Sequence, residues 1–211
     1  MLGGSGDTRL LFQHLFSVMA ITYCTDQLFR LKKESGPVRI KGAYGEALTG
    51  YQLFKSDKPF SFKHGGVIPE IEVAYETWGQ LDSQRSNAIL LCTGLSASSH
   101  ARSHPRNTSN GWWEKFIGPG RALNTDRFFV ICSNVIGGCY GSSGPSSLNP
   151  ASDEEYAMSF PIVSVEDMLA AQFTLLDHLG VERLHACVGS SLGGMQSIMS
   201  AALFPQRVGR Y

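Results

Sequence analysis

The chain has 211 residues, 43% of them hydrophobic, which is enough to bury a sizeable core and fits a soluble globular domain. Eighteen basic residues balance eighteen acidic ones, so no overall field recruits nucleic acid or an anionic membrane. A small molecule is the expected partner.

Residues 1–43 read as an N-terminal extension. The apolar stretch Leu10 to Cys24 is broken by Gln13 and His14 and is too short to span a bilayer. Asp7 and Arg9 cancel ahead of it, so it makes a poor secretory signal. Arg9, Arg30, Lys32 and Lys33 against Asp26 are compatible with a mitochondrial transit peptide, and a disordered extension fits equally well. The expected location is the cytoplasm, with the mitochondrial matrix as the alternative.

Residues 44–211 organise as a domain. Phe60 and Phe62 alternate with polar residues, His64-Gly65-Gly66 turns, and Ile71, Val73, Tyr75 and Thr77 alternate again, which predicts a hairpin of half-buried antiparallel strands. Ala88–Cys92 and Phe128–Cys132 are continuous apolar runs of the kind central parallel strands show. Ser164 with Asp167 resembles a capping box. Val165, Met168, Leu169, Leu175, Leu176 and Leu179 form an apolar stripe, and Gly180 ends the predicted helix. Asp167 and Asp177 read as a cap and a solvated face. A third strand, Leu184–Val188, leads into a helix that stops before Pro205. Strands alternating with helices after an antiparallel start indicate an α/β fold with a mostly parallel sheet, whose strand C-termini and following loops share one edge.

Three loops open on that edge. The turn between the third strand and its helix contains Gly189-Ser190-Ser191-Leu192-Gly193, a G-x-S-x-G pattern in the strand–turn–helix context of a nucleophile elbow, with Ser191 at its tip. The loop Thr93–His100 follows the first central strand, where such a fold takes its second oxyanion donor. The inferred pair is the backbone N–H of Leu95 and that of Leu192. His100 reads as a polar loop histidine, because the base follows the nucleophile in chain order in this fold. The loop from Ser133 to Pro150 holds four glycines and five serines, yet it matches neither phosphate-cradling motif. Trp112 and Trp113 read as buried structural residues, with a substrate-channel wall as the alternative.

Cys92, Cys132 and Cys187 lie in apolar strand-like runs. An odd cysteine count without C-x-x-C argues for a reducing compartment, and no metal site is expected. Cys139, in the glycine-rich loop, is the one thiol expected to be exposed, and no base stands near it in sequence.

Gly111-Trp112-Trp113, Phe129–Asn134, Gly137–Ser147 and Ser191–Gln196 together resemble the homoserine O-acetyltransferases, α/β-hydrolase-fold acyltransferases of sulfur amino-acid synthesis. The resemblance runs from about Phe62 to Arg210. The homoserine branch usually carries a His-Ala-Leu-Thr-Gly loop, whereas Thr93-Gly94-Leu95-Ser96 is more similar to the serine O-succinyl- and O-acetyltransferases. The resemblance implies attack of Ser191 on an acyl-CoA thioester and passage of an acetyl or succinyl group to the hydroxyl of L-serine, or of L-homoserine. Thr93, Ser96, Ala97, Ser98, Ser99 and His100 are the candidate acceptor-specificity residues. Acyl-CoA is a cosubstrate, no resident cofactor is expected, and the full-length enzyme is expected to be a homodimer.

The acid and base of the triad follow the nucleophile in this fold, and no Asp–His pair can be assigned after Ser191. The chain therefore reads as an N-terminal fragment, truncated after the elbow helix, with no activity alone and an open apolar edge beside the elbow strand. Two other readings keep the same residues: a serine hydrolase in which water deacylates the enzyme, and a silent truncated protein.

Overall fold

The computed structural model describes residues 49–210. The N-terminal extension, with its transit-peptide reading and Cys24, lies outside the described residues. A five-stranded sheet forms the centre, in the order β1-β4-β6-β5-β9. Its strands are β1 (Gln52–Lys55), β4 (Glu72–Trp78), β5 (Ala88–Cys92), β6 (Phe129–Ser133) and β9 (Ala186–Gly189), while the short strands β7 (Leu148–Asn149) and β8 (Glu154–Glu155) pair with each other outside it. Strands β6, β5 and β9 are parallel, whereas β4 runs antiparallel to both β1 and β6. The α/β-hydrolase expectation of a mostly parallel sheet with an antiparallel start is met.

The antiparallel start differs from the predicted hairpin. Only the short strands β2 (Phe60–Ser61) and β3 (Val67–Ile68) pair across the His64–Gly66 turn. Strand β4 pairs instead with β1, which has no marked sequence signature, and with β6. Nor is β4 half-buried, since Val73, Ala74, Tyr75, Glu76 and Trp78 are all buried. The alternation misleads because Glu76 reads as a solvent-facing position, while the structure covers both faces of the strand.

Those two faces carry separate cores. Val73, Tyr75, Leu90, Cys92, Ile131 and Cys187 face helix α1 (Val165–His178), where Leu169, Leu175 and Leu176 are fully buried. Trp78, Ile89, Leu91, Val130 and Cys132 face an irregular segment that brings Ala101, Trp112, Trp113, Ile117 and Leu123. The residues alternate between the two clusters along each strand, as the period of two demands. Helix α1 begins on the expected capping box: Ser164 Oγ accepts from Asp167 N–H, and the Asp167 carboxylate accepts from Ser164 N–H (2.7 Å). Asp177 is exposed and pairs with Arg207 at 2.7 Å.

Helix α2 (Leu192–Leu203) follows the elbow and packs on β9, β5 and α1. The outer side of β9 is not fully open, contrary to expectation. Leu184 and Cys187 donate to the carbonyls of Arg207 and Arg210 (2.8 Å each), and Gly209 donates to Leu184 (3.0 Å). No helix among the described residues is long and apolar enough to cross a membrane.

The close approach of α2 to the sheet depends on two glycines. A Cβ at Gly189 would overlap the Gly193 carbonyl, and one at Gly193 would overlap the Cys92 carbonyl. Gly194, by contrast, has only ordinary van der Waals space, with the Gly189 oxygen 3.5 Å from a built Cβ. Gly193→Ala should therefore destabilise the domain by several kcal/mol, because rigid backbone must move, roughly the range of a severe core defect. Gly194→Ala, inside a helix, should be neutral or stabilising by up to about 1 kcal/mol. Denaturant unfolding of the two variants side by side checks the contrast.

Candidate active site

Ser191 occupies the sharp turn between β9 and α2. Its backbone has φ 57° and ψ −127°, a conformation that glycine adopts freely and a serine only under constraint. The following residues resume a helix at once: Gly193 N–H donates to the Ser190 carbonyl, and Gly194 N–H donates to that of Ser191, both at 2.9 Å. The side chain is thereby thrown out of the sheet, and Ser190 and Ser191 are both exposed. Among the described residues the Ser191 hydroxyl makes no hydrogen bond, so its oxygen is presented unmasked at the head of α2.

The loop after β5 lies directly against it. A Cβ built on Gly94 would stand 3.9 Å from Ser191 Cβ and 3.8 Å from the Ser190 oxygen. Gly94 to Ala97 form a tight turn closed by Ala97 N–H donating to the Gly94 carbonyl (3.3 Å). Leu95 and Leu192, the two inferred oxyanion donors, sit on the two sides of this junction. Neither N–H donates to a backbone carbonyl among the described residues. For Leu192 the reason is general, since the first N–H groups of a helix have no intrahelical acceptor. The arrangement can offer two donors, aided by the positive end of the helix dipole, to negative charge developing beside Ser191 Oγ.

The structure divides the candidate acceptor-specificity loop. Leu95, Ser96 and Ala97 reach the surface, while Thr93, Ser98, Ser99 and His100 are buried. His100 Nδ1 lies 2.9 Å from Glu76 Oε2, and its Nε2 donates to the Ser109 carbonyl at 2.9 Å. His104 Nε2 meets the same Glu76 oxygen at 2.7 Å, and Ser99 Oγ donates to Glu76 Oε1 at 3.0 Å. His100 is thus committed to the interior, and the second half of the loop serves as its anchor.

Glu76, His100 and His104 place three ligand-type atoms within 4.8 Å of one another. The two imidazole–carboxylate separations are hydrogen-bond lengths. His104 Nδ1 also accepts from Arg106 N–H (3.3 Å), which puts the ring proton on Nε2, facing Glu76. The trio reads as a hydrogen-bonded post under the loop. Sequence reasoning missed Glu76 because a polar residue in an alternating strand normally marks the solvent face. The single available signal was the number of histidines in the segment that covers it.

The glycine/serine loop after β6 has a structural task. Ser142 Oγ accepts from Ala74 N–H (3.0 Å) and donates to the Asn134 carbonyl (2.8 Å), and Ser143 Oγ accepts from Glu72 N–H (2.8 Å). Asn134 N–H and Ser143 N–H donate to the carbonyls of Ala74 and Glu72 (2.8 Å each). The serines stand in for a neighbouring strand where β4 outruns β6. Within this loop Cys139 is half-buried. Burial pushes the Cys132 thiol well above its usual range, in keeping with an inert core role.

A second buried network lies under the elbow. Gln172 Nε2 donates to Gln196 Oε1 (2.9 Å), and Gln196 Nε2 donates to the Thr93 carbonyl (3.1 Å). Both glutamines are fully buried, so helix α2 is tied through one side chain to the strand end that launches the Gly94–Ala97 turn.

The fold that carries this site has counterparts in known proteins. The family model described as the alpha/beta hydrolase fold matches residues 87–211. The chain belongs to the α/β-hydrolase family. It is 59% identical over 176 residues to a serine O-succinyltransferase of Schizosaccharomyces pombe, covering 83% of this chain and 34% of that protein. It is 50% identical over 155 residues to a homoserine O-acetyltransferase of Methanobrevibacter ruminantium, covering 73% and 32%. Among solved structures, a homoserine O-acetyltransferase from Bacillus anthracis superposes with a TM-score of 0.71 at 36% identity, covering 76% of this chain and 44% of that one. Esterase E22 gives a TM-score of 0.71 at 33% identity, covering 76% and 45%. The chain spans about a third of the length of the curated relatives it matches.

Two outcomes follow from this α/β-hydrolase site. Ser191→Gly should raise stability by about 1 kcal/mol, because the turn conformation no longer opposes a side chain. Thermal unfolding measures it. Glu76→Leu should cost about 3 kcal/mol or more, since two imidazoles and the Ser99 hydroxyl lose a buried partner together. Denaturant melts, set against Glu72→Leu at a partly exposed position of the same strand, separate that cost from a general strand effect.

Proposed function

We propose that the protein is an O-acyltransferase that moves an acetyl or succinyl group from an acyl-CoA to the hydroxyl of a small amino acid through an acyl-Ser191 intermediate. The observation that carries this reading is the exposed Ser191 on a strained turn with the Leu95 and Leu192 N–H groups unoccupied beside it. The likeness to serine O-succinyltransferase and homoserine O-acetyltransferase supports the substrate class. In the first half-reaction Ser191 Oγ bonds to the thioester carbonyl carbon, the C–S bond breaks, and CoA leaves as the thiol. In the second the acceptor hydroxyl attacks the acyl-Ser191 ester and Ser191 is released with its proton restored. Both tetrahedral states place negative charge on the former carbonyl oxygen, where the two N–H groups act.

L-serine is the preferred acceptor in this reading, with L-homoserine second. The supports are the Thr93-Gly94-Leu95-Ser96 loop and the higher identity to the serine O-succinyltransferase. Exposed Ser96, with the half-buried Leu95 and Ala97 on either side, is the part of the loop that can meet an acceptor. A serine hydrolase is the second reading, favoured by the likeness to esterase E22. It differs only in the nucleophile that removes the acyl group.

The test uses the protein at its natural length, with acetyl-CoA and succinyl-CoA offered in turn. A covalent mass increase of one acyl group on Ser191, discharged faster by serine than by water, is expected. Ser191→Ala should abolish both adduct and transfer, a loss of several orders of magnitude. Turnover near that of the unaltered protein would remove Ser191 from the mechanism, discharge by water alone would make the protein a hydrolase, and faster discharge by homoserine would reverse the acceptor order.

A further inference from the structure

The oxyanion donor on the β5 side belongs to a loop, and loops hold a donor in place only as well as they are anchored. Leu95 is the second residue of the Gly94–Ala97 turn, and Ser96 the third, so the orientation of the turn decides where the Leu95 N–H points. The glycine/serine loop reaches across and grips this turn. Tyr140, itself buried, donates its hydroxyl to the Ser96 carbonyl at 3.1 Å. Two further bonds fix the descending arm. Trp112 Nε1 donates to the Ser98 carbonyl (2.8 Å), and Asn134 Oδ1 accepts from Ser99 N–H. Asn134 also donates through Nδ2 to the Tyr140 carbonyl, which joins the two loops into one unit. Gly137 and Gly141, at φ 80° and 94°, let the loop fold back so that Tyr140 faces the turn.

We propose that Tyr140 is a positioning residue for acyl transfer, holding the Ser96 carbonyl so that the Leu95 N–H stays aimed at the oxyanion formed on Ser191. This rests on the reading of Ser191 and Leu95 given under the proposed function. Tyr140 forms and breaks no bond in the reaction. Its hydroxyl keeps one donor preorganised, and such a donor acts on the charge of the transition state and little on the neutral thioester. The glycine-rich loop thereby acquires a second task beyond completing the edge of β4.

The test compares Tyr140→Phe with the unaltered protein at its natural length, using Ser191→Ala as the reference for a dead site. Removing an oxyanion donor outright costs about 100- to 1000-fold in kcat, and a donor left in place but less well held should cost less. A fall in kcat of about tenfold or more is expected, with KM for the acyl-CoA changed less than threefold and the rate of the acylation burst reduced in parallel. The phenylalanine ring fills the same space, so the melting temperature should move by no more than a few degrees. A purely structural hydroxyl would lower the melting temperature and leave kcat alone. An unchanged kcat in Tyr140→Phe while Ser191→Ala is inactive overturns the role of Tyr140 and leaves the site reading standing. Activity retained in Ser191→Ala overturns both.

Discussion

A serine held at φ 57° and ψ −127° persists only where packing on both sides leaves the chain no other path. Here the constraint is backbone against backbone. Gly189 rests on Gly193, and Gly193 rests on the Cys92 carbonyl, so β9, α2 and β5 meet with no side chain between them. The strain in the turn, of the order of 1–3 kcal/mol, is offset by the helix and sheet on either side. Everything the site offers follows from that contact: the exposed Ser191 hydroxyl, the helix end beneath it, and the neighbouring strand end that brings Gly94 and Leu95 alongside.

Around this point the interior is more polar than a simple α/β core. Gln172 and Gln196 link the two helices to the Thr93 carbonyl, and Glu76 with His100, His104 and Ser99 underpins the far end of the same loop. Buried polar groups of this kind confer little net stability, but they become costly when one partner is lost. They specify one arrangement of the loop rather than several. Apolar contacts alone would tolerate sliding.

The same physical needs explain the serine- and glycine-rich composition after β6. Ser142 and Ser143 satisfy backbone groups of β4, and the glycines supply left-handed turns. A run that could be mistaken for a phosphate cradle is thus spent on completing a sheet edge and presenting Tyr140. The likeness to both acyltransferases and an esterase is consistent with this division of labour. The fold is what they share, and a fold by itself does not fix which nucleophile receives an acyl group.

Local signals were sufficient for much of the fold. Ala88–Cys92 is continuous and apolar because it is covered on both faces, Ser164 and Asp167 cap α1 through their own backbone, and the glycines around Ser191 mark a turn that only small residues permit. Each of these features is determined within a few residues of chain, so the sequence by itself specifies them. Partner choice is different. The pairing of β4 with β1 and β6, the burial of Glu76 and His100, the bonds from Gln196 and Tyr140 to the Thr93–His100 loop, and the cover that residues 207–210 give β9 all join segments far apart in the chain. No local pattern distinguishes a glutamate that faces water from one that faces two histidines. Only the tertiary structure decides it, because the cost of burying that carboxyl group is set by which donors the fold brings to it.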